Sequence, residues 1–476
     1  MSQSEYDAIV VGSGPNGLAA AVVLARAGLS VLVLESHSRI GGGARSAELT
    51  EPGLIHDVCS AVHPLAAASP LLRSLRLESY GLRWCTPPIA VAHPLAEGAS
   101  AALFPSLSKT CDGLGVDAAS YARELSPLLA AATPLLDDVL APWSRWRHPG
   151  LMARFGLKAA RSSARFLRTR FSGVAARALF AGCAAHGGAP LDRAGTAAFA
   201  LVLMLCGHYV GWPFPQGGAQ ELSTALGRVL LHHAGEIHTG FPVTTLRQLP
   251  PARAVAFDVT PRQLLAIAGE ELPASYRRRL DEFQYGPGVF KMDWALDGPI
   301  PWSAATCRDA GTVHVGGSSE EIRAALAVVA SGSLPEAPFV IVSQPSRFDS
   351  SRASGRPREI AWGYTHVPRG CSVDMTERIE RRIERFAPGF RDRIVARHTM
   401  NPAQLEGYNA NYVGGDISGG ANDLWSMLAR PVARYDPHAT PNPRLFLCSS
   451  STPPGGGVHG MAGYWAAQSI LRRRFS

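Results

Sequence analysis

The chain has 476 residues, 46% of them hydrophobic, with a formal net charge of +8 and eight cysteines. That length buries two or three domain cores. The cysteines, from Cys59 to Cys448, form no CxxC pair and no metal-ligand spacing, which excludes a disulfide framework and a zinc site and points to a reducing cytoplasm.

No basic region precedes the first apolar run, so no secretory signal is expected. That run, Asp7 to Val11, reads as a buried strand. The tight turn Gly12, Ser13, Gly14, Pro15, Asn16, Gly17 follows, then an Ala/Leu-rich helix to Gly28 and a second strand from Ser30 to Leu34. Glu35 stands where a Rossmann unit places the acid that bonds a ribose hydroxyl. The spacing has a physical cause. Gly12 permits the turn, Gly14 lets a pyrophosphate approach the backbone, and Gly17 lets helix and strand pack closely, with the helix N-terminus facing the anion. An acid rather than a base after the second strand selects a free 2′-hydroxyl, hence FAD or NAD and not NADP.

Ser36 to Ser46 decides between those two. It carries a second glycine turn, Gly41, Gly42, Gly43, followed by Ala44 and Arg45, which a plain NAD domain does not need. Here the chain resembles the amine oxidase and phytoene desaturase superfamily of FAD-dependent oxidoreductases, whose members pass from the ribose acid into a GGR-type motif. The arginine sits two residues later than in the amine oxidases. The resemblance implies that Ser36, Gly42, Gly43, Ala44 and Arg45 hold the flavin pyrophosphate. His63, in Asp57 to Pro64, lies in a stretch resembling the segment that passes under the flavin, and reads either as an acid/base or as a structural histidine.

Between Val139 and Leu191 there is no acid, while nine Arg and Lys side chains from Arg145 to Arg177 interleave with Trp143, Trp146, Phe155, Phe166 and Phe171. Two readings stand, a helical face on an anionic membrane and a solvated cationic helix pair. Nucleic acid is not expected, because no recognition motif accompanies the charge. Ala194 to Trp212 approaches the length of a membrane span, but its glycines and the flanking Pro213 and Pro215 favour a buried helix lining a cavity.

Gly217 and Gly218 open a helix to His233, and Pro242 to Leu246 then reads as a short strand. By resemblance this is the return to the FAD domain, with Val243 touching the adenine. Val289 to Leu296 alternates as a strand. In the amine oxidases a comparable strand carries a lysine held through water to flavin N5, and Lys291 matches it in order; the competing reading pairs Lys291 with Asp293. Thr312 to Val315, Pro338 to Ser343 and Glu359 to Thr365 are further strands of an antiparallel sheet, and Asn401 to Gly420 reads as a loop bearing Tyr408 and Tyr412 that caps a cavity or merely connects.

Arg444 to Cys448 is a last strand, followed by Gly455, Gly456, Gly457, Val458, His459, Gly460 and an apolar helix from Met461 to Leu471. The turn resembles the phytoene desaturase motif that flanks the isoalloxazine, with Gly456, Gly457 and Val458 on the flavin. Pro453 and Pro454 replace the His-Pro of many relatives. Amine oxidases place an aromatic residue where Gly456 or Gly457 stands, so the glycines imply an open slot for a flat or extended apolar substrate, with Tyr464, Trp465 and Tyr412 beside it.

The expected fold is α/β, a Rossmann-type, glutathione-reductase-like FAD domain (1–95, 215–270 and 430–476) with an inserted α+β substrate domain (96–214 and 271–429) whose basic helices lie at 143–180. The expected chemistry is desaturation of an isoprenoid, carotenoid or polyketide-like compound by hydride transfer to flavin N5, with oxygen or a membrane quinone as acceptor and no metal. Three other readings share the scaffold: a redox-neutral isomerase, saturase or reductive cyclase; an amine oxidase; and a lipid-binding escort protein without catalysis.

Overall fold

The computed structural model describes residues 6–353 and 358–476. Five parallel strands form the first sheet, in the order Leu445–Leu447, Ala252–Phe257, Tyr6–Val11, Val31–Leu34, Glu236–His238. Three distant segments of chain therefore build one nucleotide sheet. Its strands are apolar on both faces, as a covered parallel sheet requires. Ala8, Val10, Val31 and Val33 meet the helices Pro15–Arg26, Gln220–His232 and Met461–Arg474. Ile9, Val11, Leu32 and Phe257 meet Pro261–Ala268 and Ala274–Asp281 on the other side.

A second sheet has seven strands, in the order Ile394–Met400, Gly288–Leu296, Glu359–Val367, Val340–Ser343, Ala310–Val315, Ile89–Pro94, Ser100–Leu103. All its pairings are antiparallel except that of Ile89–Pro94 with Ala310–Val315. Strand pairing thus moves two expected boundaries. The chain leaves the nucleotide domain before Ile89 rather than at 95, and Ala274–Asp281 stays with the nucleotide sheet through Tyr276 and Leu280 instead of opening the substrate domain.

Helices cover the second sheet on the cavity side. Val174–Ala185 packs against Thr196–Tyr209, the uncharged stretch, as a buried pair. Among the described residues no helix is long and apolar enough to cross a membrane. In the basic segment, Lys158 and Arg170 both pair with buried Glu124, at 2.8 and 3.2 Å, so part of its charge is structural. Arg154, Arg165 and Arg168 remain exposed. The stretch expected as a loop contains a helix, Pro402–Tyr408, started by a capping box between Asn401 and Gln404. Pro242 to Leu246 is not a strand; the edge strand is Glu236–His238, and Phe241 N–H then donates to the Glu35 carbonyl at 2.8 Å.

Candidate active site

The C-terminal ends of the parallel strands converge, where the strand order reverses and open α/β sheets bind ligands. Gly12 follows Val11, Glu35 follows Leu34 and Asp258 follows Phe257, three residues held level by the register Leu34–Val11–Phe257. Glu35 is buried and accepts from Ser13 N–H at 2.9 Å and from His37 N–H at 2.8 Å. The Arg45 guanidinium lies 3.9 Å from the same carboxylate.

Asp258 was not singled out in the sequence, yet every glycine of the first turn packs on it. A methyl group at Gly14 would lie 2.5 Å from the Asp258 carboxylate, and one at Gly12 would touch its backbone carbonyl at 3.0 Å. At Gly17 it would overlap the Gly12 carbonyl and meet the carboxylate. Gly17 N–H donates to Asp258 Oδ2 at 3.0 Å. The signal available in the sequence was positional: an acid directly after a parallel strand, as Glu35 is.

One continuous cavity of about 870 Å³ runs from these strand ends into the second domain. Every cofactor position named from the sequence lines it except Gly17, whose role is packing. The lining fits a diphosphate. Arg45 is only 5% exposed, and its Nε and Nη1 have no hydrogen-bond partner. A buried cation with orphaned donors is costly unless an anion meets it. The second glycine turn lies directly on the first, since a side chain at Gly42 would strike Gly14 Cα at 2.9 Å.

In the second domain the cavity forms an aromatic chamber lined by Trp146, Phe155, Phe199, Trp212, Trp362 and Tyr364. Among the described lining residues only Glu35 and Asp258 are acidic, and both sit at the nucleotide end. Besides His37 next to Glu35, three imidazoles line the cavity, His63, His186 and His459. Burial lowers their pKa values to about 4, about 3 and about 4 respectively, so all are neutral bases at pH 7. His63 Nε2 bonds Ser60 Oγ at 2.8 Å and its Nδ1 is unpartnered. His186 Nε2 meets His314 Nε2 at 2.8 Å. Neither His186 nor His459 was named as a candidate; isolated histidines carry no periodic signal.

Several expected positions differ. Lys291 lines no part of the cavity: residues two apart on a strand share a face, and its ammonium is taken by Asp293 beside it. Tyr364, its register partner, and Cys59 form the cavity wall instead. Tyr464 and Trp465 are also outside. Trp465 donates its indole N–H to the Leu140 carbonyl at 3.0 Å, and the Tyr464 ring packs edge-on against it at 5.0 Å. Tyr412 does line the cavity, over Gly43. The glycines at 456 and 457 border the cavity without leaving an open slot. A side chain at 456 would meet the Ser418 carbonyl at 2.8 Å, and at 457, where φ is +110°, it would meet Leu65 at 2.8 Å. Val243 lines the cavity from a loop.

Residues 10–75 match the NAD(P)-binding Rossmann-like domain family. Over nearly its whole length the chain is 26% identical to mouse (Mus musculus) pyridine nucleotide-disulfide oxidoreductase domain-containing protein 2, covering 98% of this chain and 94% of that one. A shorter stretch of 138 residues is 26% identical to a subunit of limonene dehydrogenase from Castellaniella defragrans, 29% of this chain and 25% of that one. Among solved structures, a putrescine oxidase variant superimposes with a TM-score of 0.64 at 18% identity, covering 98% of this chain and 99% of that one. The chain therefore shares the fold of that oxidase structure, with a dinucleotide-binding Rossmann-like segment at its start.

Proposed function

We propose that this chain, which has the fold of the FAD-dependent oxidoreductases, oxidises an extended apolar substrate by removing hydrogen from adjacent carbons. The observation that carries the reading is the chamber: aromatic walls, no carboxylate to meet an amine, and direct continuity with the glycine turns and Arg45. Bound FAD would supply the two-electron acceptor. The protein's own part is threefold. Glu35, Arg45 and the glycine turns hold the dinucleotide. The aromatic walls exclude water and place a C–H bond, which is where proximity acts on rate. A neutral imidazole, His63 or His186, takes the proton that must leave the substrate as the hydride leaves, so two hydrogens depart in all.

The apolar assignment gains support from the mouth of the cavity. Trp143 and Leu428 line it and are also exposed, and Trp425 beside them is 72% exposed. Arg145, Arg147 and Arg154 lie on the adjoining segment. A bilayer could deliver substrate here, aromatic groups at headgroup level and arginines on anionic lipid. A quinone or oxygen would then reoxidise the flavin.

The test is anaerobic mixing of the FAD-loaded protein with isoprenoid, polyketide and amine compounds while the flavin spectrum is followed. Bleaching by the apolar classes is expected. Bleaching by amines alone would overturn the reading, and turnover by chemically reduced protein alone would reverse its direction. Co-sedimentation with vesicles of anionic lipid, lost when Trp425 and Leu428 become Ser, tests the docking face.

A further inference from the structure

The carboxyl of Asp258 lies against the glycine turn on which a dinucleotide fold receives its diphosphate. The N-terminal amides of the helix Pro15–Arg26 are the expected anion site, yet Asp258 Oδ2 already accepts from Gly17 N–H at 3.0 Å, and a Gly14 side chain would collide with it. The same cavity holds the unpartnered Arg45 Nε and Nη1, so the site is built for an anion from outside as well. An ionised Asp258 beside a doubly charged diphosphate would be a close pair of like charges, which costs heavily in a buried site. A protonated Asp258 removes the repulsion and can donate to a phosphate oxygen, a short charge-assisted bond.

We propose that Asp258 is a protonated ligand of the cofactor diphosphate, so that binding FAD takes up one proton. The inference rests on the FAD reading of the site. The free protein is poised for it: burial, opposed by the Gly17 and Gly14 amides and reinforced by the Glu35 charge, pushes the Asp258 pKa up to about 7. The diphosphate raises it further. Two other titratable groups near Asp258 have shifted pKa values. Cys448, on the neighbouring strand, is driven well above its ordinary value by burial and by the Asp258 charge. His37, past Glu35, is lowered by burial and by Arg45, and is neutral above its ordinary value. Asn411 also approaches, its amide reaching the Asp258 carbonyl at 3.4 Å.

The sign follows from linkage. Above the pKa of the free protein, FAD must pay for protonation, so affinity falls with rising pH by up to about ten-fold per unit until the pKa of the complex is reached. The experiment is FAD titration of the full chain freed of flavin, followed by flavin fluorescence from about pH 6 to about pH 8.5, for the wild type and Asp258→Asn. The asparagine keeps an oxygen for Gly17 N–H and a donor for phosphate without a charge. The wild type is expected to weaken more than ten-fold across the range. The variant is expected to hold a flat affinity, tighter than the wild type at the alkaline end. If Asp258→Asn does not fold, calorimetry on the wild type in two buffers of different ionisation heat reads the proton directly, with uptake close to one per FAD at about pH 8. A flat wild-type profile, zero uptake, or a slope that persists in the variant overturns the proposal. No FAD binding at any pH would instead overturn the cofactor reading beneath it.

Discussion

The nucleotide end and the substrate chamber are built by opposite means. At the nucleotide end backbone meets backbone: Gly12, Gly14, Gly17 and Gly42 bring main chains and the Asp258 carboxylate into contact, and few side chains intervene. In the chamber large side chains from the helices Pro149–Ala159 and Thr196–Tyr209 and from the strand Glu359–Val367 leave a space between them. A site made of backbone tolerates no added atom. A site made of side chains can be resized, because one rotamer or one substitution changes its volume while the framework stays put. Chemistry is thus fixed where backbone builds the site, and specificity can drift where side chains build it.

The sharpest way to break the contrast is Gly17→Val. Its added atoms would overlap the Gly12 carbonyl and the Asp258 carboxylate, and neither can retreat without unpicking the register of the sheet. Loss of FAD binding is expected, with destabilisation of about 3 kcal/mol or more, at the upper end for overpacking. Absorbance of the purified protein and thermal unfolding with and without FAD measure it. A yellow protein of normal stability would show that the turn has slack.

Lys291→Met tests the layer behind the chamber. The substitution leaves Asp293 buried and facing only His56 and His398, at 3.6 and 3.2 Å. Breaking a buried pair costs about 3–5 kcal/mol, while the spectrum of bound FAD should not move, because Lys291 lines no part of the cavity. The pair also makes stability depend on pH. Burial acts to raise the Asp293 pKa, but Lys291, His398 and His56 outweigh it and hold the carboxyl below its ordinary value. A depressed carboxylate stabilises the fold above its unfolded pKa and loses that contribution as pH falls through the lower folded value. Lys291→Met should therefore flatten the acid limb of the unfolding profile. A shifted flavin spectrum would restore the lysine to the cofactor.

Lys291 also shows what was legible in the sequence. The first turn, Glu35, the second turn and the Gly455–Gly460 turn were readable because backbone geometry demands glycine at fixed intervals, and a demand of that kind leaves a pattern. The nucleotide sheet followed from them, since each turn implies the strand before it. Side-chain sites leave no such mark. A lysine two residues from an aspartate reads equally as a cofactor contact or a buried pair, and only the packing of Tyr364 and Cys59 in front of it decides. Tyr464 and Trp465 misled for the same reason: an aromatic residue on an apolar helix does not say which side it faces, and here Trp465 turns to Leu140. Asp258 was hidden because one acid after one strand is common. Its meaning appears only when three glycines are seen to pack on it.

Arg45→Gln separates cofactor affinity from stability. The guanidinium is buried with two nitrogens unpartnered, and its ion pair with Glu35 is long, at 3.9 Å, so it should contribute less to the free protein than the about 1.5–3 kcal/mol it adds to the complex, the range for hydrogen bonds to charged groups. FAD affinity is expected to fall about 10- to 100-fold, with a smaller loss of stability in the flavin-free protein as the long pair with Glu35 goes. Equal losses in both would mean that Arg45 serves the fold through Glu35 rather than the ligand.

The smallest effect on the cofactor, and the most informative about the chamber, is expected from Leu203→Trp. Leu203 lines the cavity from the helix Thr196–Tyr209, which also carries the chamber residue Phe199. A larger ring there should fill part of the substrate space and leave FAD affinity within about two-fold, below 0.5 kcal/mol, as for a change distant from a binding group. Anaerobic bleaching by an apolar substrate should slow, most for the longest member of a series, because a long molecule needs the far end of the chamber and a short one does not. If long and short substrates slow alike, the reacting carbon sits at Leu203 itself. If FAD affinity falls instead, the cofactor extends further into the chamber than the glycine turns imply, and the boundary between a site of backbone and a site of side chains would have to be drawn elsewhere.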